Sequence, residues 1–412
     1  MNTMKHTRLT LCLCASLLLG MPVRAASPYG WDAATNKALY ETLQTYLRAM
    51  QTDLVGEPAY YMTQQLMVEL ETTFQKDPYA WMSQVHNFCN TLEAVYPPSL
   101  SHPSVIRGAE DRYDKIRRNL LRLRDYPMHQ ISLDNEPDIK PTTDQKEAFT
   151  RANRQWLQHK RAEFFDFLRS PRPSGDELQA VKLYSSGYVF RTREACIGID
   201  ICYAEGLYDG EGREELADLL DAVYVTHAHG DHYDIPLLKL MLQKGKAVVA
   251  PSTMARHLTA ESGEKYLWED SHLDPVPVHG VALTQAYMSA QGDEPCLLYL
   301  IQIGDWRLAH VGDNSSHANE TLIYPLYPIA DVVMGPVFQG VVNLLNNTKQ
   351  APNPGNVEQI YFNIHENEWH HTIDGRVSFQ FLYTSTGALN SSSFAYPSCA
   401  IFDCGEHLTL YK

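Results

Sequence analysis

"YVTHAHGDHYD", Tyr224 to Asp234, places three histidines and two aspartates directly behind an apolar run that begins "DAVYVT". Those apolar and β-branched residues fit a buried strand. His227 and His229 follow at i and i+2, so a continuing strand turns both to one side. Gly230 permits a sharp change of backbone direction. Asp231 and His232 can then face a second point before a helix starts near Asp234. Imidazole, imidazole, carboxylate, imidazole is a donor set for zinc or a similar divalent ion. Buried together at one chain reversal, four such groups are costly to desolvate, and a cation offsets that cost. A surface loop of solvated histidines is the plainer alternative, and the apolar run ahead of it argues against it.

Outside this stretch, the 412 residues exceed one ordinary core, so two domains are expected. With 20% charged and 44% hydrophobic residues the chain reads as soluble and globular. A formal charge of −15 excludes nucleic acid as the main partner and disfavours an anionic membrane surface. Residues 1–25 read as a signal peptide: Lys5 and Arg8, an apolar run from Leu9 to Leu19, then Val23-Arg24-Ala25. That run is too short to span a bilayer. The expectation is export, to a periplasm or the medium, after cleavage near Ala25, with no transmembrane segment in the mature chain. Six cysteines follow it: Cys89, Cys196, Cys202, Cys296, Cys399 and Cys404. They form no dense framework; Cys399 and Cys404 flank a turn and could pair, and buried thiols are the plainer reading.

Residues 26–175 carry helical periodicity. After Asp77-Pro78, Trp81, Val85, Phe88, Leu92 and Val95 repeat at helical spacing. "KIRRNLLRLR" (115–124) reads as a solvated helix face, with an anionic partner as its rival. "SPRPSGDE" (170–177) is a connector, and beyond it the composition changes. From 176 to 412, runs such as "ACIGIDI", "KAVVAP", "CLLYLIQI" and "ADVVMGP" read as strands. Helical segments at Arg213–Leu220 and Ile235–Gln243 separate several of them. The expected class is α+β, an all-α N-terminal domain followed by a layered β-rich one.

His-Ala-His-Gly-Asp-His behind a hydrophobic strand resembles the HxHxDH signature of the metallo-β-lactamase-fold hydrolases, and the resemblance extends over roughly residues 180–410. "IGID" (197–200) resembles the hairpin and aspartate that precede the signature. "WRLAHVGDNS" (306–315) resembles the strand whose Gly-Asp carries a bridging carboxylate, here Asp313. "QIYFNIHENEWHH" (359–371) resembles the late strand that ends in a histidine ligand, here His365. Strand spacing looks closest to the branch of ascorbate-6-phosphate lactonases and the phospholipase D-type enzymes acting on N-acyl phosphatidylethanolamine.

The resemblance implies a C-terminal αββα sandwich. It assigns His227 and His229 to one metal site, Asp231, His232 and His365 to a second, and Asp313 to both. Zn2+, as one or two ions, is the expected cofactor, with Mn2+ or Fe as alternatives. A third histidine of the first site is expected from a strand between the signature and Gly-Asp. The matching stretch "VALTQAYMSAQGDEP" (281–295) has none. Met288 stands in that slot, with Gln291 and Asp293 nearby, and a thioether is a poor zinc ligand. His279 sits at the wrong end of that strand, and His310 is placed to bury or orient. His370 and His371 line the mouth or lie on the surface. Asp200 is expected to orient a metal-bound histidine. Three outcomes stay open: a rewired dinuclear site, one ion held by Asp231, His232, His365 and Asp313, or a degenerate site.

The implied activity is a metal-dependent hydrolase that cleaves an ester, lactone, amide or phosphodiester in a small-molecule or lipid-like substrate. Asp231 is the expected catalytic residue, orienting the nucleophile and moving its proton. The rivals are a non-catalytic binding protein on the same fold and an iron-dependent redox enzyme.

Overall fold

The computed structural model describes residues 33–78, scattered positions between 80 and 91, most of 158–204, then 207–313, 329–336, 360–364, 398–400 and 404–412. The expected signal peptide, the basic stretch 115–124, His365, His370 and His371 lie outside the described residues.

Helix α1 (Ala33–Asp53) is followed by α2 (Pro58–Lys76). Pro58 opens α2 where a missing N–H costs nothing. Leu43, Leu47, Met50 and Leu54 form a buried stripe at helical spacing, and Leu66 and Leu70 of α2 share its cluster. Trp81 Nε1 donates to Asn36 Oδ1 at 3.1 Å, and Asn36 Nδ2 donates to the Pro78 carbonyl at 2.6 Å. These bonds hold the next segment against α1.

The β-rich part is two seven-stranded sheets. The first contains β1 (Leu178–Lys182), β2 (Tyr188–Arg191), β3 (Cys196–Ile199), β4 (Ala222–Tyr224), β5 (Ala247–Pro251), β6 (Glu264–Trp268) and β14 (His407–Leu410), in the order β14-β1-β2-β3-β4-β5-β6. The second contains β7 (His272–Val278), β8 (Ala282–Gln291), β9 (Glu294–Ile303), β10 (Trp306–His310), β11 (Val332–Pro336), β12 (Ile360–Ile364) and β13 (Ser398–Ala400), in the order β13-β12-β11-β10-β9-β8-β7. Each sheet is antiparallel on one side and parallel on the other: β3 to β6 run parallel, as do β10 to β13. Parallel neighbours require crossovers. In the first sheet α3 (Glu211–Leu219) and α4 (Ile235–Gln243) supply two of them. In the second they fall in 311–331, 337–359 and 365–397, which lie mostly outside the described residues.

Strand alternation assigns the two faces of the first sheet. Tyr188, Phe190, Ile197, Ile199 and Tyr224 point inward to meet Leu297, Tyr299, Ile301, Leu308 and Phe362 of the second sheet. Val189, Val223 and Val248 point outward, into a cluster with Leu216 of α3 and Leu237, Leu238 and Met241 of α4. Both faces are buried, which is why "AVYV" (222–225) is continuously apolar instead of alternating. The outer cluster also takes in the buried residues of α1 and α2. Helix, sheet and sheet are therefore three of the four expected layers.

Five strands stand where the sequence suggested none: β1, β6, β7, β13 and β14. Four of these are the edges of the two sheets. An edge pairs on one side only and needs no long apolar run; β7 even accommodates Pro275 and Pro277, with a register shift between His272 and Val276.

Candidate metal centre

Polar side chains gather where β3, β4 and β10 end, the rim at which sheets with parallel strands commonly present their functional groups. Asp200 follows β3. It is fully buried and has φ 49°, in the left-handed region that Asp tolerates better than most residues. Its Oδ1 accepts the Thr226 backbone N–H at 2.7 Å, and its Oδ2 accepts the Thr226 hydroxyl at 2.7 Å. The same Oδ2 lies 2.8 Å from His232 Nδ1. Burial on its own would raise the Asp200 pKa, but His232 and His310 hold it below the ordinary carboxylate value.

These bonds decide where the imidazole protons sit. Asp200 can only accept, so the Thr226 hydroxyl donates to it and has a lone pair left for His227 Nδ1, 3.0 Å away. His227 therefore carries its proton on Nδ1 and presents a bare Nε2. Burial, reinforced by the neighbouring His232, lowers its pKa to about 3, so the ring is neutral at physiological pH. His232 likewise gives its Nδ1 proton to Asp200 and turns Nε2 outward. Burial works against its protonation, but Asp200 and Asp313 outweigh that and lift its pKa to about 9. The rings of His227 and His232 lie 4.0 Å apart.

Asp313 arrives from the other sheet. Gly312, with φ 55°, turns the chain after β10 so closely against Thr226 and Cys296 that a Cβ there would lie 2.5 Å from Cys296 Sγ. The Thr226 carbonyl accepts the Leu297 N–H at 2.7 Å, and the Val225 carbonyl accepts the Tyr299 hydroxyl at 2.7 Å, pinning the end of β4 to β9. Asp313 Oδ2 then stands 3.3 Å from His232 Nε2 and 3.9 Å from His227 Nε2. One ligand atom from each of His227, His232 and Asp313 falls within 4.8 Å of the others. His227 Nε2 is buried and makes no hydrogen bond. A bare His227 Nε2 and the His232 Nε2, whose proton an ion would displace, face one carboxylate, a donor set that fits a divalent cation.

The other expected residues divide. Asp231 Oδ2 lies 3.7 Å from His232 Nε2, at the margin of this group. His229 sets its ring edge-on to His227, with centroids 4.6 Å apart, and is half-buried. β12 ends at Ile364, one residue before His365. His310 is buried; its Nδ1 accepts the Gly312 N–H at 3.0 Å, and its Nε2 faces Asp200 at 3.6 Å, an orienting position as expected. His279 pairs with Glu264 at 3.3 Å instead. The expectation for Met288 is corrected. Alternation sets it with Ala282, Thr284 and Ala286 on the inner face of β8, where it packs against the inter-sheet core. The residue of this strand that reaches the centre is Gln291, whose Nε2 donates to Asp313 Oδ2 at 3.1 Å.

No family model matches the chain, and no curated protein matches it in sequence. Solved structures with a similar fold include the metallo-β-lactamase-fold protein YhfI from Bacillus subtilis, 15% identical, TM-score 0.42, covering 57% of this chain and all of that one. Igni18, a metallo hydrolase from Ignicoccus hospitalis, is 15% identical with TM-score 0.40 over 57% of this chain and 99% of its own. CmlA, a diiron β-hydroxylase from Streptomyces venezuelae, is 17% identical with TM-score 0.37 over 59% of this chain and 55% of its own.

Proposed function

We propose that this chain is a metal-dependent hydrolase. One observation carries the reading: His227 and His232 turn their Nδ1 atoms to Thr226 and Asp200, so their Nε2 atoms converge on Asp313. His365 is proposed as a further ligand because it follows β12 directly in sequence. β10, β11 and β12 run parallel and in register, Leu308 beside Val332 beside Ile360, so the chain leaves β12 at the rim that carries Asp313. A divalent ion held by these groups, Zn2+ first among candidates, supplies an acidified water and positive charge for a developing oxyanion.

The chain's own groups do the rest. Asp200 and Thr226 hold the two imidazoles in the ligating tautomer. Asp231, with its carboxylate near His232 Nε2 and part-exposed, accepts the proton of the attacking water. His229, beside exposed Gly230, lies on the solvent side and contacts the incoming substrate or completes the ligand set. An ester, lactone, amide or phosphodiester in a small or lipid-like molecule is the proposed substrate, since the acidic chain repels polyanions. Export rests on residues 1–25, and the segment 26–175 is proposed to form a helical domain that selects the substrate. No described helix is long and apolar enough to cross a membrane.

The test is metal analysis of the purified chain, followed by hydrolysis of an ester, lactone and phosphodiester panel by the apo and the zinc-reconstituted protein. Metal uptake with turnover restored by zinc is expected. Uptake without turnover on any member would favour a binding protein on this fold, and no uptake refutes the centre.

A further inference from the structure

β8 runs Ala282–Gln291 and closes a tight hairpin into β9, which starts at Glu294. It is the strand expected to deliver a third histidine to the centre. We propose that Gln291 supplies that ligand through its side-chain carbonyl oxygen, so that an ion sits on His227, His232, Asp313 and Gln291. The proposal deepens the metal-centre reading and rests on it.

The orientation of the Gln291 amide follows from chemistry. Its nitrogen is 3.1 Å from Asp313 Oδ2. A carboxylate only accepts, so the NH2 group faces Asp313, and Oε1, beside it on the same planar amide, is left without that partner. That oxygen is buried and has no hydrogen-bond partner. A buried amide oxygen left bare is costly, and a cation relieves the cost as a donor would. His227 Nε2 is bare in the same way, and it reaches the same Asp313 oxygen, at 3.9 Å. Two unsatisfied lone pairs thus belong to side chains that both contact one carboxylate atom. The rivals on this strand fail on position: Met288 packs into the inter-sheet core, and Asp293 is exposed on the hairpin turn.

The substitution has a chemical signature. An amide oxygen is a harder and weaker donor than imidazole and carries no charge. A centre built with it holds zinc less tightly than a three-histidine site and discriminates less against Mn2+ and Fe2+.

The full chain, stripped of metal, is titrated with zinc chloride and with manganese chloride against a chromophoric chelator, and bound metal is counted by elemental analysis. Gln291→Met keeps length and loses the oxygen; binding of both ions is expected to weaken at least about tenfold, the lower range for losing even an outer partner of a metal site. Gln291→His is expected to raise the zinc-over-manganese preference by about tenfold or more, following ligand softness. Gln291→Glu keeps an oxygen and should retain manganese. Should Gln291→Met not fold, the His and Glu variants decide: equal metal preference in both overturns the assignment. Wild-type affinity in Gln291→Met likewise overturns it and leaves the metal centre standing. A wild-type chain that takes up neither ion overturns the centre itself.

Discussion

Asp200→Asn isolates what holds the imidazoles in place. Asparagine is nearly isosteric with aspartate and tolerates φ 49° equally well, so the backbone after β3 has no reason to move. Its Oδ1 can still accept the Thr226 N–H. Its NH2, however, takes the position of Oδ2, where the Thr226 hydroxyl and His232 Nδ1 both approach, at 2.7 and 2.8 Å. Donor then meets donor. The relaxed arrangement has His232 accept through Nδ1, which sends its proton to Nε2, the atom facing Asp313. A protonated Nε2 cannot ligate. Losing such a partner weakens metal sites by about 10–100-fold, or about 1.4–2.7 kcal/mol. The upper half is expected here, because the tautomer is inverted and the attraction between Asp200 and His232 is lost as well. Chelator competition at fixed pH reads the affinity, and circular dichroism checks that the apo fold persists. Zinc affinity in folded Asp200→Asn within about twofold of wild type, when at least about tenfold is expected, would refute the tautomer argument.

Two further outcomes concern stability. Gly312→Ala meets both a left-handed φ of 55° and a Cβ position 2.5 Å from Cys296 Sγ, so unfolding should become easier by about 1–3 kcal/mol in a urea melt; an unchanged midpoint would show that the Gly-Asp turn has slack. Lys182 is fully buried, donates to the Ser185 carbonyl and lies 4.6 Å from the Tyr188 ring centre. Burial lowers its pKa from 10.5 to about 7. The unfolded chain thus binds the extra proton between pH 7 and 10.5, and stability should rise across that window by as much as a few kcal/mol. Lys182→Met should flatten the rise; equal slopes in the two proteins between pH 7 and 9.5 would contradict it.

The centre was legible because its parts are local. His227 and Asp313 each follow an apolar strand, and one-dimensional periodicity plus a short signature suffices to place such residues. Asp200 could be named from the hairpin that precedes the signature, although nothing local announces its left-handed backbone. Gln291 was less legible. Gln-Gly-Asp reads as turn chemistry, and only the pairing of β8 with β9 and the turn after β10 carry its amide to Asp313. Sheet edges were illegible for a related reason. β6, β7, β13 and β14 bond on one side, so short or polar segments suffice, and the prolines of β7 argue for a loop to any reader of propensity alone. The cluster that takes in α1, α2 and the outer face of the first sheet joins residues more than a hundred positions apart, beyond the reach of periodicity.

His227 and His232 belong to one sheet, while Asp313 and Gln291 belong to the other. Their mutual distances therefore gauge how the two halves of the sandwich are seated. A slip of about 1 Å between the halves would leave nearly every interior contact intact, yet it would cost geometry that chemistry reads steeply. Volume changes at Ala286 or Leu308, in the apolar interior between the sheets, should accordingly show first as a detuned centre in a protein that still melts as one unit.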